Sequence, residues 1–165
     1  MGFGERWVGL IMECITSVSY AVLVNGRPGD VIYPSRGIRQ GDPISSYLFL
    51  LCAEGLSSLI NAAEKKGEIK GMVATRGGIR VSHLLFADDS IIFARAKWTE
   101  WLKVKEILRV YEEAFGQCMN LQKTTVLFSS RVRQEEKERI VQDLGARVQS
   151  SCEKWVAHYG WKSSL

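Results

Sequence analysis

The chain lacks what would tie it to a disulfide frame, a zinc site or histidine-centred chemistry. Its four cysteines, Cys14, Cys52, Cys118 and Cys152, are widely separated and include no Cys-x-x-Cys pair. They read as reduced core thiols. The two histidines, His83 and His158, make no metal cluster; His83 falls on an expected strand and reads as a packed or hydrogen-bonded residue. No internal repeat, low-complexity tract or long run of one charge is present. Basic residues (22) lie dispersed among acidic ones (18), leaving a net charge of +4, which permits a nucleic-acid partner without arguing for one. No apolar stretch follows the opening Met-Gly-Phe-Gly-Glu-Arg, so no secretory leader is read. Arg6 stands where a myristoylation signal needs Ser or Thr. The longest apolar run, over 47–53, is too short to cross a bilayer. These absences predict an intracellular, unsecreted protein with no membrane partner, with nucleus or cytoplasm left open.

What is present suffices for one core: 165 residues with 46% hydrophobic content. Trp7, Leu10, Ile11, Cys14 and Ile15 recur at helical spacing and predict an amphipathic helix over 5–16. Segments 20–24 and 31–33 are β-rich, with Asn25-Gly26 and Pro28-Gly29 supplying turn chemistry between them. A loop over 34–43 leads into a helix over 44–66. The stretch 47–53 of that helix is apolar almost all round and predicts burial on most sides. A strand is expected over 69–73 and a turn at Arg76-Gly77-Gly78. A helix follows over 97–114, on which Glu106 and Arg109 are spaced to pair. A strand over 121–128 and a polar helix over 134–144 complete the pattern. Helices alternating with strand pairs predict an α+β fold, an antiparallel sheet with helices packed on one face.

Between the apolar runs 81–86 and 90–94 stands Phe86-Ala87-Asp88-Asp89. Each run is too short for a stable helix, so the pair predicts a β-hairpin with two carboxylates at its tip. Asp is common in turns for purely local reasons, but apolar flanks on both sides mark this hairpin as a central element. Like charges this close stay ionised only with a cation between them. Mg²⁺, a hard ion held by one or two carboxylates plus substrate phosphates, suits such donors. The pattern points to phosphoryl transfer.

Three ordered segments carry a resemblance. They are Gly37-Ile38-Arg39-Gln40-Gly41-Asp42-Pro43-Ile44-Ser45 with Tyr47-Leu48-Phe49, then Phe86-Ala87-Asp88-Asp89, then Gly116-Gln117 through Asn120 with Lys123-Thr124. Together they resemble the palm motifs of reverse transcriptases from plant-type non-LTR (LINE-type) retrotransposons, over residues 1–154. The resemblance implies a partial polymerase palm over 1–154 and a divergent tail over 155–165. It implies RNA-directed DNA synthesis from deoxynucleoside triphosphates on an RNA template and a DNA primer, with two Mg²⁺ ions clamping the attacking and leaving oxygens.

In that frame Asp88 is a direct metal ligand and Asp89 its neighbour at the primer end. Arg39, Gln40, Gly41, Pro43 and Ser45 contact the incoming nucleotide and template, and Gly41 lets backbone approach a base or sugar closely. Asp42 before Pro43 reads equally as a helix cap. Lys123 stands where the family has a lysine that protonates departing pyrophosphate; it reads equally as a surface lysine after a turn. The chain departs from the family as well. Ser46 replaces a usual Pro, and Phe115 a usual small residue. The strand with a further metal-binding Asp, the fingers and the thumb have no counterpart. The expectation is therefore a chain weak or inactive alone, which self-associates through an exposed sheet edge beside the acidic hairpin. The alternative is a non-catalytic nucleic-acid-binding or interaction relic.

Overall fold

The computed structural model describes residues 2–34, 41–74, 77–87, 89–145, 147–148 and 156–163. The chain divides into two compact units, over 1–50 and 51–164.

The first unit opens with α1 (Glu5–Thr16), at the bounds its apolar spacing predicts. The carbonyl of Gly4 accepts the first backbone N–H groups, from Trp7 and Val8, and Phe3 stacks on Trp7 with ring centroids 4.3 Å apart. β1 (Tyr20–Val24) and β2 (Arg27–Ile32) form an antiparallel ribbon. Asn25 and Gly26, at φ 51 and 76, make its two-residue turn. Left-handed dihedrals at both central positions match the twist of the arms. Pro28-Gly29, expected in the turn, lies within β2 instead, where the register shifts between Ala21 and Leu23. A two-stranded ribbon tolerates Pro28 because it has edges where no N–H is needed.

α2 (Pro43–Lys65) runs from the first unit into the second. Its first half corrects an expectation: Tyr47 is 69% and Leu50 62% exposed, so the apolar stretch over 47–53 is not buried on most sides. Burial begins one turn later, at Leu56, Ile60 and Ala63. By length and composition α2 is long and apolar enough to cross a membrane, which the run over 47–53 alone did not suggest; its second half is nonetheless part of a protein core through Leu56, Ile60 and Ala63.

The second unit holds that core. α3 (Trp98–Phe115) contributes Trp101, Val104, Ile107, Leu108 and Tyr111, which recur along one helical face. α4 (Gln134–Leu144) adds Ile140 and Leu144. Ile60 is fully buried, and truncating it to Ala is expected to cost about 2–5 kcal/mol. Phe115 has an explanation in packing: its ring lies 4.8 Å from that of Tyr111. A Cβ added at Gly55 of α2 would come within 3.0 Å of it, so Gly55 makes the room Phe115 fills. The expected Glu106–Arg109 pair does not form. Glu106 instead meets Lys103 at 3.1 Å, and Arg109 meets Glu113 at 2.6 Å.

β3 (Met72–Val73) pairs with β4 (Arg80–Val81). Gly71 permits this ribbon, since a Cβ there would lie 2.5 Å from the carbonyl oxygen of Val81. The single strand expected over 81–86 is thus two, broken at Ser82. A six-stranded sheet then contains β5 (His83–Phe86), β6 (Asp89–Ile92), β7 (Gln117–Met119), β8 (Thr125–Leu127), β9 (Arg147–Val148) and β10 (Val156–Ser163). Its order is β5-β6-β10-β8-β9, with β7 also on β10. All pairs are antiparallel except β8 with β9. The strand expected over 121–128 is shorter because a turn occupies 121–123. The α+β expectation stands.

One finding overturns the expected open edge. β6 pairs with β5 on one side and with β10 on the other, so residues near the carboxyl end of the chain cover the edge beside the acidic hairpin. Two of the cysteines correct the reading of core thiols. Cys14 and Cys118 are exposed and Cys52 is half-buried, all three free; Cys152 lies outside the described residues.

Candidate functional site

The acidic hairpin forms as its apolar arms dictate. Phe86 pairs with Asp89 across the tip of the hairpin. Ala87 takes φ 48, the left-handed value that a tight hairpin turn requires at its first central position. For an alanine this costs roughly 1–2 kcal/mol, which the flanking pairs must outweigh. Asp88 lies outside the described residues, as do Arg39 and Gln40.

Register and burial place Asp89. Ser90 and Ile92 of β6 and Val126 of β8 are buried, and Ile92 and Val126 join the helices' core cluster. Side chains alternate along a strand, so Asp89 and Ile91 belong to the opposite face, away from that core. Phe86, paired with Asp89, is 82% exposed. Asp89 itself is half-buried.

The base of the hairpin is held from two directions. His83 Nε2 lies 2.9 Å from Ser57 Oγ on α2, and its Nδ1 3.2 Å from Ser82 Oγ. Burial lowers the His83 imidazole below its ordinary 6.5, with Glu64 and Glu54 pulling the other way. His83 is thus hydrogen-bonded, as expected. At the exit from β6, the carboxylate of Glu100 accepts the backbone N–H of Arg95 at 2.9 Å and that of Lys70 at 3.1 Å. It also pairs with the Arg95 guanidinium. Glu100 is only 2% exposed. Spacing gave no sign of it, because an acid in the first turn of a helix ordinarily reads as a solvated dipole partner.

Lys123 closes a compact turn. Its backbone N–H and that of Thr124 reach the Asn120 carbonyl at 3.0 and 2.9 Å, while Asn120 Oδ1 accepts the Gln122 N–H at 3.1 Å. Thr124 is fully buried and Lys123 exposed. The ladder relates this turn to the hairpin. Ile91 pairs with His158, and His158 with Thr125, so β6 and β8 run parallel on either side of β10. Asp89 pairs with Gly160 two residues further along. Lys123 lies in the turn over 121–123 that precedes β8, outside the paired residues of that strand.

The remaining candidates lie in the first unit. Asp42 caps α2: its Oδ1 accepts the Ile44 N–H at 3.0 Å, and its carbonyl accepts the Ser45 hydroxyl at 2.7 Å. Pro43 is the first helical residue, where its missing N–H costs nothing. Gly41 has φ 85 and open space where a Cβ would stand, so its backbone dihedral explains glycine there.

Among the described residues no three Asp, Glu, His or Cys side chains converge on a point that could hold a metal. Asp89 supplies hard oxygen, which fits a divalent cation shared with phosphate rather than one caged by protein ligands.

The family model described as reverse transcriptase (RNA-dependent DNA polymerase) matches residues 2–156. An uncharacterized mitochondrial protein of Arabidopsis thaliana is 46% identical over 76 residues, 46% of this chain and 60% of that protein. The retrovirus-related Pol polyprotein from type-1 retrotransposable element R2 of Popillia japonica is 30% identical over 91 residues, 55% of this chain and 14% of the polyprotein. The transposon TX1 uncharacterized 149 kDa protein of Xenopus laevis is 26% identical over 131 residues, 79% of this chain and 10% of that protein. The chain thus spans less than two thirds of each of these curated relatives. No solved structure matches it. The match over nearly the whole chain places it in the reverse transcriptase family, among relatives that include retrotransposon Pol proteins.

Proposed function

We propose that this chain is palm-region sequence of a non-LTR, LINE-type reverse transcriptase, over 1–154 with a divergent tail over 155–165. Its chemistry is template-directed transfer of a nucleotidyl group from a deoxynucleoside triphosphate to a primer 3′-hydroxyl on an RNA template, and it is weak or inactive alone. The observation that carries this reading is the acidic hairpin of β5 and β6, with Asp89 on the face turned away from the helical core, in a chain whose residues 2–156 match the reverse transcriptase family model. A carboxylate there and a lysine in the turn before β8 supply the two kinds of group, cation ligand and proton donor, that a phosphate-bearing substrate needs.

Asp88 and Asp89 would hold Mg²⁺, two ions in the intact family site. The bound ions neutralise phosphate charge and orient the attacking and leaving oxygens. Lys123 offers an ammonium proton to the departing pyrophosphate. Arg39, Gln40, Gly41, Pro43 and Ser45 contact nucleotide and template. Ser45 does so with its hydroxyl already committed to the Asp42 carbonyl, so its contribution is steric or through its oxygen lone pairs. Weakness alone follows from β10: residues 156–163 contain no Asp or Glu, so the strand beside β6 brings no further carboxylate to Asp89.

Primer extension on an RNA template with Mg²⁺ tests the reading. The purified chain is expected to give faint extension or none, while retaining primer–template binding that weakens as salt rises. Robust synthesis that vanishes in Asp88→Ala would overturn the claim of weakness. Absence of salt-sensitive binding would overturn the polymerase reading itself.

A further inference from the structure

β10 is the keystone of the sheet. Its residues 157–160 pair with β6, residues 156–158 with β8 and residues 161–163 with β7. Among the described residues no other strand joins the acidic hairpin to β8. With β10 withdrawn, β6 and β8 would face each other across a gap one strand wide, each with a row of unpaired backbone N–H and C=O groups. Such edges are templates for an added strand. The walls of the gap run parallel to one another, and the strand that fills it runs antiparallel to both.

We propose that this gap is a strand-binding site, and that its occupant in concentrated protein is β10 of a second copy, exchanged reciprocally. The register that fits β10 within one chain fits the same residues from another, so the exchanged dimer loses no pairing. The partner copy then completes the site, setting its own Gly160 beside Asp89. What favours the closed monomer is the effective concentration of a tethered strand, on the order of millimolar. Exchange is therefore expected when the full chain is refolded at that concentration and not at micromolar dilution.

Ile91 and His158 are register partners, close enough for a cross-strand disulfide. Full-length Ile91→Cys and His158→Cys chains are mixed, refolded at roughly millimolar concentration, oxidised and mapped by peptide mass spectrometry. The expected product is a two-chain species linked between position 91 of one variant and position 158 of the other. Ile91→Cys/His158→Cys in a single chain, refolded dilute, is expected to form the same link internally. Adding Tyr159→Pro, which a central strand does not tolerate, is expected to lower the two-chain yield by about tenfold or more.

The internal link without the two-chain link would show that β10 fills the gap but does not exchange, overturning the proposal. Absence of both would show that β10 does not occupy the gap, and a two-chain yield unchanged by Tyr159→Pro would place the association elsewhere. If Tyr159→Pro prevents folding, the mixed single variants still decide the question.

Discussion

Glu100 receives the backbone N–H of Arg95 at 2.9 Å on the same carboxylate oxygen that receives Lys70. A buried acid at the start of α3 thereby fixes the chain leaving β6 against the chain entering β3. Removing it leaves the two backbone donors and the Arg95 guanidinium without their acceptor. Glu100→Ala is expected to lower stability by about 3 kcal/mol and Glu100→Gln by about half as much, since an amide keeps one acceptor. Urea unfolding followed by tryptophan fluorescence measures both, and equal losses would contradict a hydrogen-bonding role.

His83 gives the fold a pH dependence of defined sign. Burial lowers its pKa below 6.5 in the folded state, so the unfolded chain binds the proton first as pH falls. Stability is therefore flat above about 6.5 and declines below it, at no more than about 1.4 kcal/mol per pH unit. His83→Gln is expected to remove this slope. A wild-type stability that rises on acidification through this window would reverse the assignment.

Asp143 acts in a lower window. Its carboxylate accepts Trp101 Nε1–H at 2.7 Å and the Lys105 ammonium at 2.9 Å, and first Lys105, then Trp101, hold its pKa below 3.8. Its contribution is present above that value and lost as pH falls through the depressed one. Because Trp101 is only 1% exposed, Asp143→Ala leaves a buried indole donor without its acceptor, and a loss of about 1–3 kcal/mol at neutral pH is expected. Asp143→Asn, which keeps an acceptor oxygen, is expected to lose less.

Ala87 inverts the usual effect of glycine. At φ 48 its Cβ is strained, so Ala87→Gly is expected to leave stability unchanged or raise it by up to about 1 kcal/mol, the relief offset by the freer unfolded chain. Ala63→Gly, in the helical core, is expected to cost about 1 kcal/mol or more. A larger loss at position 87 than at position 63 would show that the hairpin turn is not of this type.

Much of this was legible in advance for identifiable reasons. α1 and α3 follow from apolar spacing, and α4 was expected as a polar helix over the bounds it takes. The acidic hairpin follows from two short apolar arms with a turn between them. What stayed hidden is tertiary. The exposure of Tyr47 and Leu50 cannot be read from an apolar run, which says nothing of how many neighbours surround it. Glu100 looks like any first-turn acid until Lys70, thirty residues earlier in the chain, is brought to it. β10 was unreadable because Val156–Ser163 carries no clean alternation and was set aside as tail; its role comes from pairing with β6, β7 and β8. Two site residues, Asp89 and Lys123, follow from their motifs, but that the strand of one and the strand after the other flank a shared neighbour is visible only through β10. Asp88, Arg39 and Gln40, named with them, lie outside the described residues.

The most direct test is paramagnetic broadening of backbone amide signals by Mn²⁺ in the presence of a deoxynucleoside triphosphate. The account predicts selective broadening at 86–91 together with the 121–125 turn, abolished by the double substitution Asp88→Asn/Asp89→Asn. Broadening that leaves those two segments untouched, or that persists in the doubly substituted chain, would contradict it.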